Sequence, residues 1–229
     1  MRQITIAIDG PAASGKSTVG ARLAHRLGYL YFDTGVMYRA VTWAALDRGV
    51  AIDDEEAITR LAEELEIRVL RPTLDDGRQY TVLADGRDIT WDIRSPEVNQ
   101  GVSPVSAYLG VRRALTARQR AIGADGGVVM VGRDIGTVVL PEAEIKVYLD
   151  ASLHERARRR HLEDLRRGKA SDMAEVIRDL RRRDRIDSTR AAAPLRPADD
   201  AIILDSTNLT ADQVVERIVA LVGARDSTA

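Results

Sequence analysis

Near the N-terminus the apolar run Gln3-Ile4-Thr5-Ile6-Ala7-Ile8 is followed, after a glycine-rich stretch, by Val19, Leu23 and Leu27, spaced four residues apart. The first pattern predicts a buried strand and the second a helix over 17–27. Four further runs read as buried strands: Tyr29 to Phe32, Val128 to Val131, Ile145 to Leu149 and Ala201 to Leu204. Helical patterns lie between them at 36–47, 54–64, 104–121, 152–167 and 172–188. A last helix is expected after Thr210, whose hydroxyl can cap it. Strands alternating with helices predict an α/β protein with a five-stranded, mostly parallel sheet covered on both faces.

Residues 66–90 depart from this alternation. Glu66-Ile67-Arg68-Val69-Leu70 and Gln79-Tyr80-Thr81-Val82-Leu83 are strand-like and flank the turn Asp75-Asp76-Gly77. Asp85-Gly86 marks a second turn before Ile89. A small antiparallel module outside the main sheet is expected there. The tail after Val222, Gly-Ala-Arg-Asp-Ser-Thr-Ala, is expected to fray.

With 229 residues, 45% hydrophobic and 30% charged, the chain can bury one substantial core and carry small modules. The formal charge is −1, yet thirteen Arg or Lys stand against eight Asp or Glu between Leu153 and Arg190. Such a basic segment in a neutral chain calls for a local polyanion; a long nucleic acid would ask for a broader basic surface. The absence of Cys excludes disulfides and thiol chemistry and fits a reducing compartment. No run reaches the eighteen or so apolar residues of a membrane span, and no signal-peptide pattern precedes the first strand, so the expectation is a soluble cytoplasmic protein.

The polyanion has a candidate site. Gly10-Pro11-Ala12-Ala13-Ser14-Gly15-Lys16-Ser17-Thr18 contains the G-x-x-x-x-G-K-[ST] phosphate loop, set between the first strand and the first helix. Gly10 and Gly15 allow backbone approaches that a Cβ would obstruct, and successive N–H groups at a helix N-terminus make an anion cradle. Lys16 can reach the outer phosphates of a nucleotide, and the Ser17 hydroxyl can meet Mg²⁺.

Asp33-Thr34-Gly35 follows the second strand, with Met37-Tyr38-Arg39 in the next helical turn; Gly132-Arg133-Asp134 follows the third core strand. Ligands of parallel sheets lie beyond the C-terminal strand ends, which puts these groups on the same edge as the phosphate loop. Asp33 and Thr34 can equally cap a helix, Arg39 can be a surface cation, and Arg133 and Asp134 can be ordinary ion-pair partners. Arg156, Arg159 and Arg160 share neighbouring helical faces, and after Gly168-Lys169 a second helix carries Arg183, Asp184, Arg185, Asp187 and Arg190. Two helices around a basic break read either as a hinged cover over a phosphoryl group or as a solvated pair.

In order along the chain, Ile8-Asp9-Gly10-Pro11 with the phosphate loop, Asp33 to Arg39, Ile93-Arg94-Ser95, Val102-Ser103, Val111-Arg112, Gly132 to Thr137 and Arg183 to Arg190 resemble bacterial cytidylate kinases over nearly the whole length. The resemblance implies an ATP-dependent nucleoside monophosphate kinase with Mg²⁺ as cofactor. Its parts would be a P-loop core at 1–37, 104–151 and 172–229, a nucleotide-monophosphate-binding region with the antiparallel insert at 38–103, and a helical lid at 152–171. Gly10, Ala12, Ala13, Ser14, Gly15, Lys16, Ser17 and Thr18, with Arg159 and Arg160, would bind the donor nucleotide, Ser17 also meeting the metal. Thr34, Ser103, Arg112 and Asp134 resemble the cytosine-reading set. Arg39, Arg133 and Arg190 resemble ligands of the acceptor phosphate, with Tyr38 beside them. Asp187, helped by Arg183, resembles the sugar contact. Lys16, Arg133, Arg156 and Arg160 would serve catalysis.

Three positions depart from the family pattern. Val131 stands where many relatives carry an acid, Ile186 where many carry Arg, and Thr34 where Ser is common. Asp9 and Asp33 are the remaining carboxylates for the metal's surroundings. The expected partners are ATP and CMP or dCMP, with the chain acting as a monomer and without nucleic acid or membrane. The alternatives are a kinase for UMP or AMP and, in another class, a nucleotide-dependent switch. No Asn/Thr-Lys-x-Asp guanine-reading motif supports a GTPase switch, and the basic segment lacks the aromatics of a single-strand platform.

Overall fold

The computed structural model describes residues 3–226. In chain order the elements begin with β1 (Thr5–Asp9), α1 (Lys16–Leu27), β2 (Leu30–Asp33), α2 (Gly35–Asp47), α3 (Glu55–Glu64) and β3 (Ile67–Leu70). They continue with β4 (Thr81–Ala84), β5 (Arg87–Asp88), α4 (Pro96–Val105), α5 (Leu109–Gly123) and β6 (Val128–Gly132). The rest are β7 (Ile145–Asp150), α6 (Leu153–Arg166), α7 (Met173–Thr189), β8 (Ile202–Asp205) and α8 (Ala211–Asp226). By packing, the chain forms two compact units, one comprising Met1–Asp33 with Gly123–Ala229 and the other Thr34–Ile122.

In the first unit five parallel strands form one sheet in the order β2-β6-β1-β7-β8, the α/β architecture expected. Every residue of β1 and β6 is buried, which accounts for their unbroken apolar sequences. Ile6, Ile8, Leu23, Val129, Leu149 and Ile218 share the core on the α1 and α8 side. Register places Asp9 beside Gly132 and Tyr148, and Asp33 beside Val131. The strands that carry the candidate chemistry therefore end level along one edge. Thr210 caps α8 reciprocally: its Oγ1 accepts from Gln213 N at 3.2 Å while its N–H donates to Gln213 Oε1 at 2.9 Å. The fraying expected after Val222 does not begin there, since α8 continues through Asp226; residues 227–229 lie outside the described residues.

The second unit holds the antiparallel sheet β3-β4-β5 at the predicted place. Arg78 pins it, its buried guanidinium paired with Asp76 and Asp88, each at 2.7 Å. One helix was not expected. The helical run over 104–121 begins only at Leu109, and a separate α4 precedes it. Ser95 Oγ accepts from Val98 N at 3.2 Å and Pro96 occupies the first helical turn, so α4 starts where a serine–proline pair favours it. Between the two helices the Ser106 carbonyl accepts from Arg112 Nη1 at 3.1 Å, which fixes the break.

Candidate functional site

The phosphate loop wraps the end of β1. Gly10 has φ of +149°, and a Cβ there would meet the Leu149 carbonyl oxygen at 2.0 Å, so only glycine fits this crossing. Gly15 at φ +100° and Ala13 at φ +61° complete the loop's left-handed turns. Ser14 is fully buried, and Thr18 is exposed on α1. Lys16 is buried and folded onto the loop, donating to Pro11 O at 2.6 Å and Ser14 Oγ at 3.3 Å. Burial holds its pKa well below the ordinary lysine value, and the nearby Arg133 charge pushes the same way.

Ser17 Oγ donates to Asp33 Oδ2 at 2.9 Å, and Tyr31 OH reaches the same oxygen at 3.5 Å. The carboxylate facing Ser17 thus comes from β2, on the strand beside Val131. Asp9, the other acid considered, is committed elsewhere: its Oδ1 accepts from Ile135 N at 2.7 Å and its Oδ2 from Gly136 N at 2.8 Å. Among the described residues no group of three or more His, Cys, Asp or Glu is arranged to hold a metal.

Beyond β6 the turn Gly132-Arg133-Asp134 leads into a π-helical turn, Ile135–Val139, that the sequence did not announce. Arg133 Nε donates to Asp187 Oδ2 of α7 at 2.9 Å, and Arg190 Nη2 lies 3.7 Å from Asp134 Oδ1. Asp187 is buried, which raises a carboxylate's pKa, but Arg133, Arg190 and Arg183 together hold it below the ordinary value. Arg183 is buried too, and among the described residues its Nε has no hydrogen-bond partner. Burial, and then the charge of Arg133, bring its pKa down to about 10. Lys16, Arg133, Arg183 and Arg190 therefore lie in one electrostatic cluster with Asp9, Asp33, Asp134, Asp184 and Asp187.

The arginines of α6 divide into two kinds. Arg156 is buried and saturated: it donates to Ala151 O at 3.0 Å, to Ala12 O of the phosphate loop at 3.1 Å and to both oxygens of Asp184 at 3.1 and 2.7 Å. Arg159 donates to Ser14 O at 3.1 Å, to Ser206 Oγ at 3.0 Å, to Ser206 O at 2.6 Å and to Glu155 Oε1 at 2.9 Å. Arg160 makes only looser ion pairs with Glu163 at 3.5 Å and Asp164 at 3.8 Å. The solvated-pair reading thus fails for Arg156 and Arg159. Asp184 stands in the charged run read from the sequence, but its pairing with Arg156 is not legible there, and Ser206, which holds Arg159, carries no sequence signal, because the partners lie far apart in the chain.

The second unit assembles its own set. Arg39 on α2 donates to Ile93 O at 3.0 Å and Asn99 Oδ1 at 2.8 Å, so it is a braced side chain rather than a solvated cation. Arg112 is buried on α5, its guanidinium 5.5 Å from the centre of the Tyr38 ring. Ser103 is buried on α4, and Thr34 is buried at the N-cap of α2 with no capping bond from its side chain. Asn99, which braces Arg39 and donates to Arg94 O at 3.3 Å, is a further residue that no motif in the sequence marks.

A parallel α/β sheet with a glycine loop closing on a buried lysine, and arginines massed at the same strand edge, defines a P-loop nucleotide-binding protein of the phosphoryl-transferring kind. The cytidylate kinase family model matches residues 6–224. The chain is 52% identical over 224 residues to cytidylate kinase of Geobacillus kaustophilus, covering 98% of each chain. It is 51% identical over 221 residues to cytidylate kinase of Roseiflexus castenholzii, covering 96% of this chain and 94% of that one. It belongs to the cytidylate kinase family. Among solved structures an uncharacterized protein from Eubacterium ventriosum aligns with 96% of this chain and 99% of its own at 12% identity and a TM-score of 0.53, a likeness of fold alone.

Proposed function

We propose that the chain transfers the γ-phosphoryl group of ATP to CMP and dCMP, giving ADP with CDP or dCDP, and works as a monomer in the cytoplasm. The observation that carries this is the group of buried cations gathered at the strand edge of the first unit. Lys16 and Arg133 repel one another in a buried setting beside Arg183, whose Nε has no hydrogen-bond partner among the described residues, an arrangement that an incoming polyanion relieves. A switch protein needs the phosphate loop but not this second group of arginines.

The acceptor's phosphate attacks the γ-phosphorus in line. A phosphate monoester has its second pKa near 6, so the attacking oxygen is ionised near neutral pH and needs no protein base. Lys16, Arg133 and Arg160 stabilise the charge that spreads over the transferring group. Arg160, less tethered than Arg156 and Arg159 on the same helix, is the one placed to follow the nucleotide. Arg156 and Arg159 shape the donor loop through Ala12 O and Ser14 O. In the acceptor set Arg39, Arg133 and Arg190 hold the phosphate with Tyr38 beside them, Asp187 with Arg183 the sugar, and Thr34, Ser103, Arg112 and Asp134 the base. Asp134 accepts from the cytosine amino group and opposes the uracil carbonyl.

The donor set fits Mg²⁺. Ser17 commits its proton to Asp33 and keeps its lone pairs for a hard cation, and one hydroxyl with one carboxylate suits an ion completed by substrate phosphates. When bound, Mg²⁺ neutralises phosphate charge. An assay of ADP release with Mg-ATP and a panel of CMP, dCMP, UMP and AMP tests the reading. Release driven by CMP and dCMP well above that with UMP or AMP is expected; release independent of any acceptor would overturn it.

A further inference from the structure

Asp9 is the last residue of β1, one position before the phosphate loop, yet its side chain serves a segment 126 residues further along the chain. It is only 4% exposed. Its two oxygens take the N–H groups of Ile135 at 2.7 Å and Gly136 at 2.8 Å, the two residues directly after Arg133-Asp134. These amides open a helical turn and have no acceptor within it. The turn closes on itself only further on, where Val138 N and Val139 N donate to Asp134 O and Leu140 N to Ile135 O. The approach is close. A Cβ on Gly136 would stand 3.2 Å from the Lys146 side chain and 3.4 Å from Asp9 Oδ2.

A carboxylate that accepts from two consecutive amides fixes both peptide planes, and so the direction in which the preceding side chains leave the backbone. We propose that Asp9 is a positioning residue for the acceptor base, holding the turn from which Asp134 projects and thereby setting the preference for cytosine over uracil. The proposal rests on the reading that Asp134 faces the base. It differs from a purely structural role for Asp9, which would alter stability and leave selectivity unchanged. The same carboxylate ties the end of the donor strand to the acceptor turn, so one buried group serves both halves of the reaction.

Asp9→Asn keeps the size and one acceptor oxygen but sets an NH₂ against the second amide. The experiment measures kcat and KM for CMP and UMP in the parent, D9N, D134N and the double variant, with circular dichroism and ATP KM as controls. In D9N the CMP/UMP ratio of kcat/KM should narrow by about tenfold, because a carboxylate of Asp134 no longer held toward the base loses its discrimination between an amino donor and a carbonyl acceptor. The change should lie in the CMP KM, with ATP KM near the parent's. The double variant should narrow the ratio no further than D134N, because both act through one contact. A ratio unchanged in D9N but narrowed in D134N would overturn the role of Asp9 and leave the base-reading role of Asp134 standing. A ratio unchanged in D134N would overturn that base-reading role and this proposal with it. If D9N does not fold, Asp9→Ser, which keeps one oxygen acceptor, carries the same comparison.

Discussion

Asp9 holds its place at a cost that pH can expose. Burial raises its pKa from 3.8 to about 6, against the lowering pull of the Gly136 and Ile135 amides; Asp134 raises it further and Lys16 opposes. A carboxyl with a raised folded-state pKa stabilises the fold most when protonated. Its contribution is complete below about pH 4 and is lost as the pH climbs through 6. A rise of this size corresponds to roughly 3 kcal/mol. The stability of the parent relative to D9N, measured by urea unfolding from pH 4 to 7, should therefore fall by an amount of that order, mostly before pH 6.5. A difference that stays flat or grows with pH would contradict the environment assigned to Asp9. Such a residue is hard to read in sequence. Spacing reveals Lys16 and Ser17 because the phosphate cradle is one continuous stretch. The partners of Asp9, Arg156 and Arg159 come from distant elements, so only the fold discloses that Arg156 and Arg159 are tethers.

Helix α4 shows how one missed boundary hides a supporting residue, Asn99, the brace of Arg39. It carries Ser103 and Asn99, and its start is written in Ser95-Pro96, yet the helical pattern reads in sequence as a single run from 104. Pro104 lies inside α4 at its C-terminal end, where its missing N–H forfeits one helical bond and favours a stop, and Arg112 then ties the break through Ser106 O. The strands, by contrast, are legible to within a residue or two, because β1 and β6 are buried on both faces and read as continuous apolar runs. The turn at Ile135–Val139 is not, since its amides are satisfied by Asp9 rather than by any local cap. Replacing Ser95 by Ala removes the acceptor for Val98 N and should cost about 1 kcal/mol of stability. Urea unfolding of S95A measures this, and an unchanged midpoint would mean that Pro96 alone sets the helix start.

The molecule distributes its chemistry over two compact units. The first contains the phosphate loop, the Arg133–Asp187 pair and the arginines of α6 and α7. The second contains Arg39, braced by Asn99, and Arg112 over Tyr38. Family membership is readable from the ordered motifs, three of them at strand ends and the rest on helices. Among the described residues no helix is long and apolar enough to cross a membrane. The central claim is a transfer from ATP to a cytidine monophosphate, as opposed to hydrolysis or nucleotide-controlled switching. Separating and quantifying all four nucleotides after incubation with Mg-ATP and CMP tests it directly. The account predicts CDP and ADP formed in equal amounts, each matched by loss of CMP and ATP. ADP accumulating without CDP, or neither product appearing with a folded protein, would contradict it.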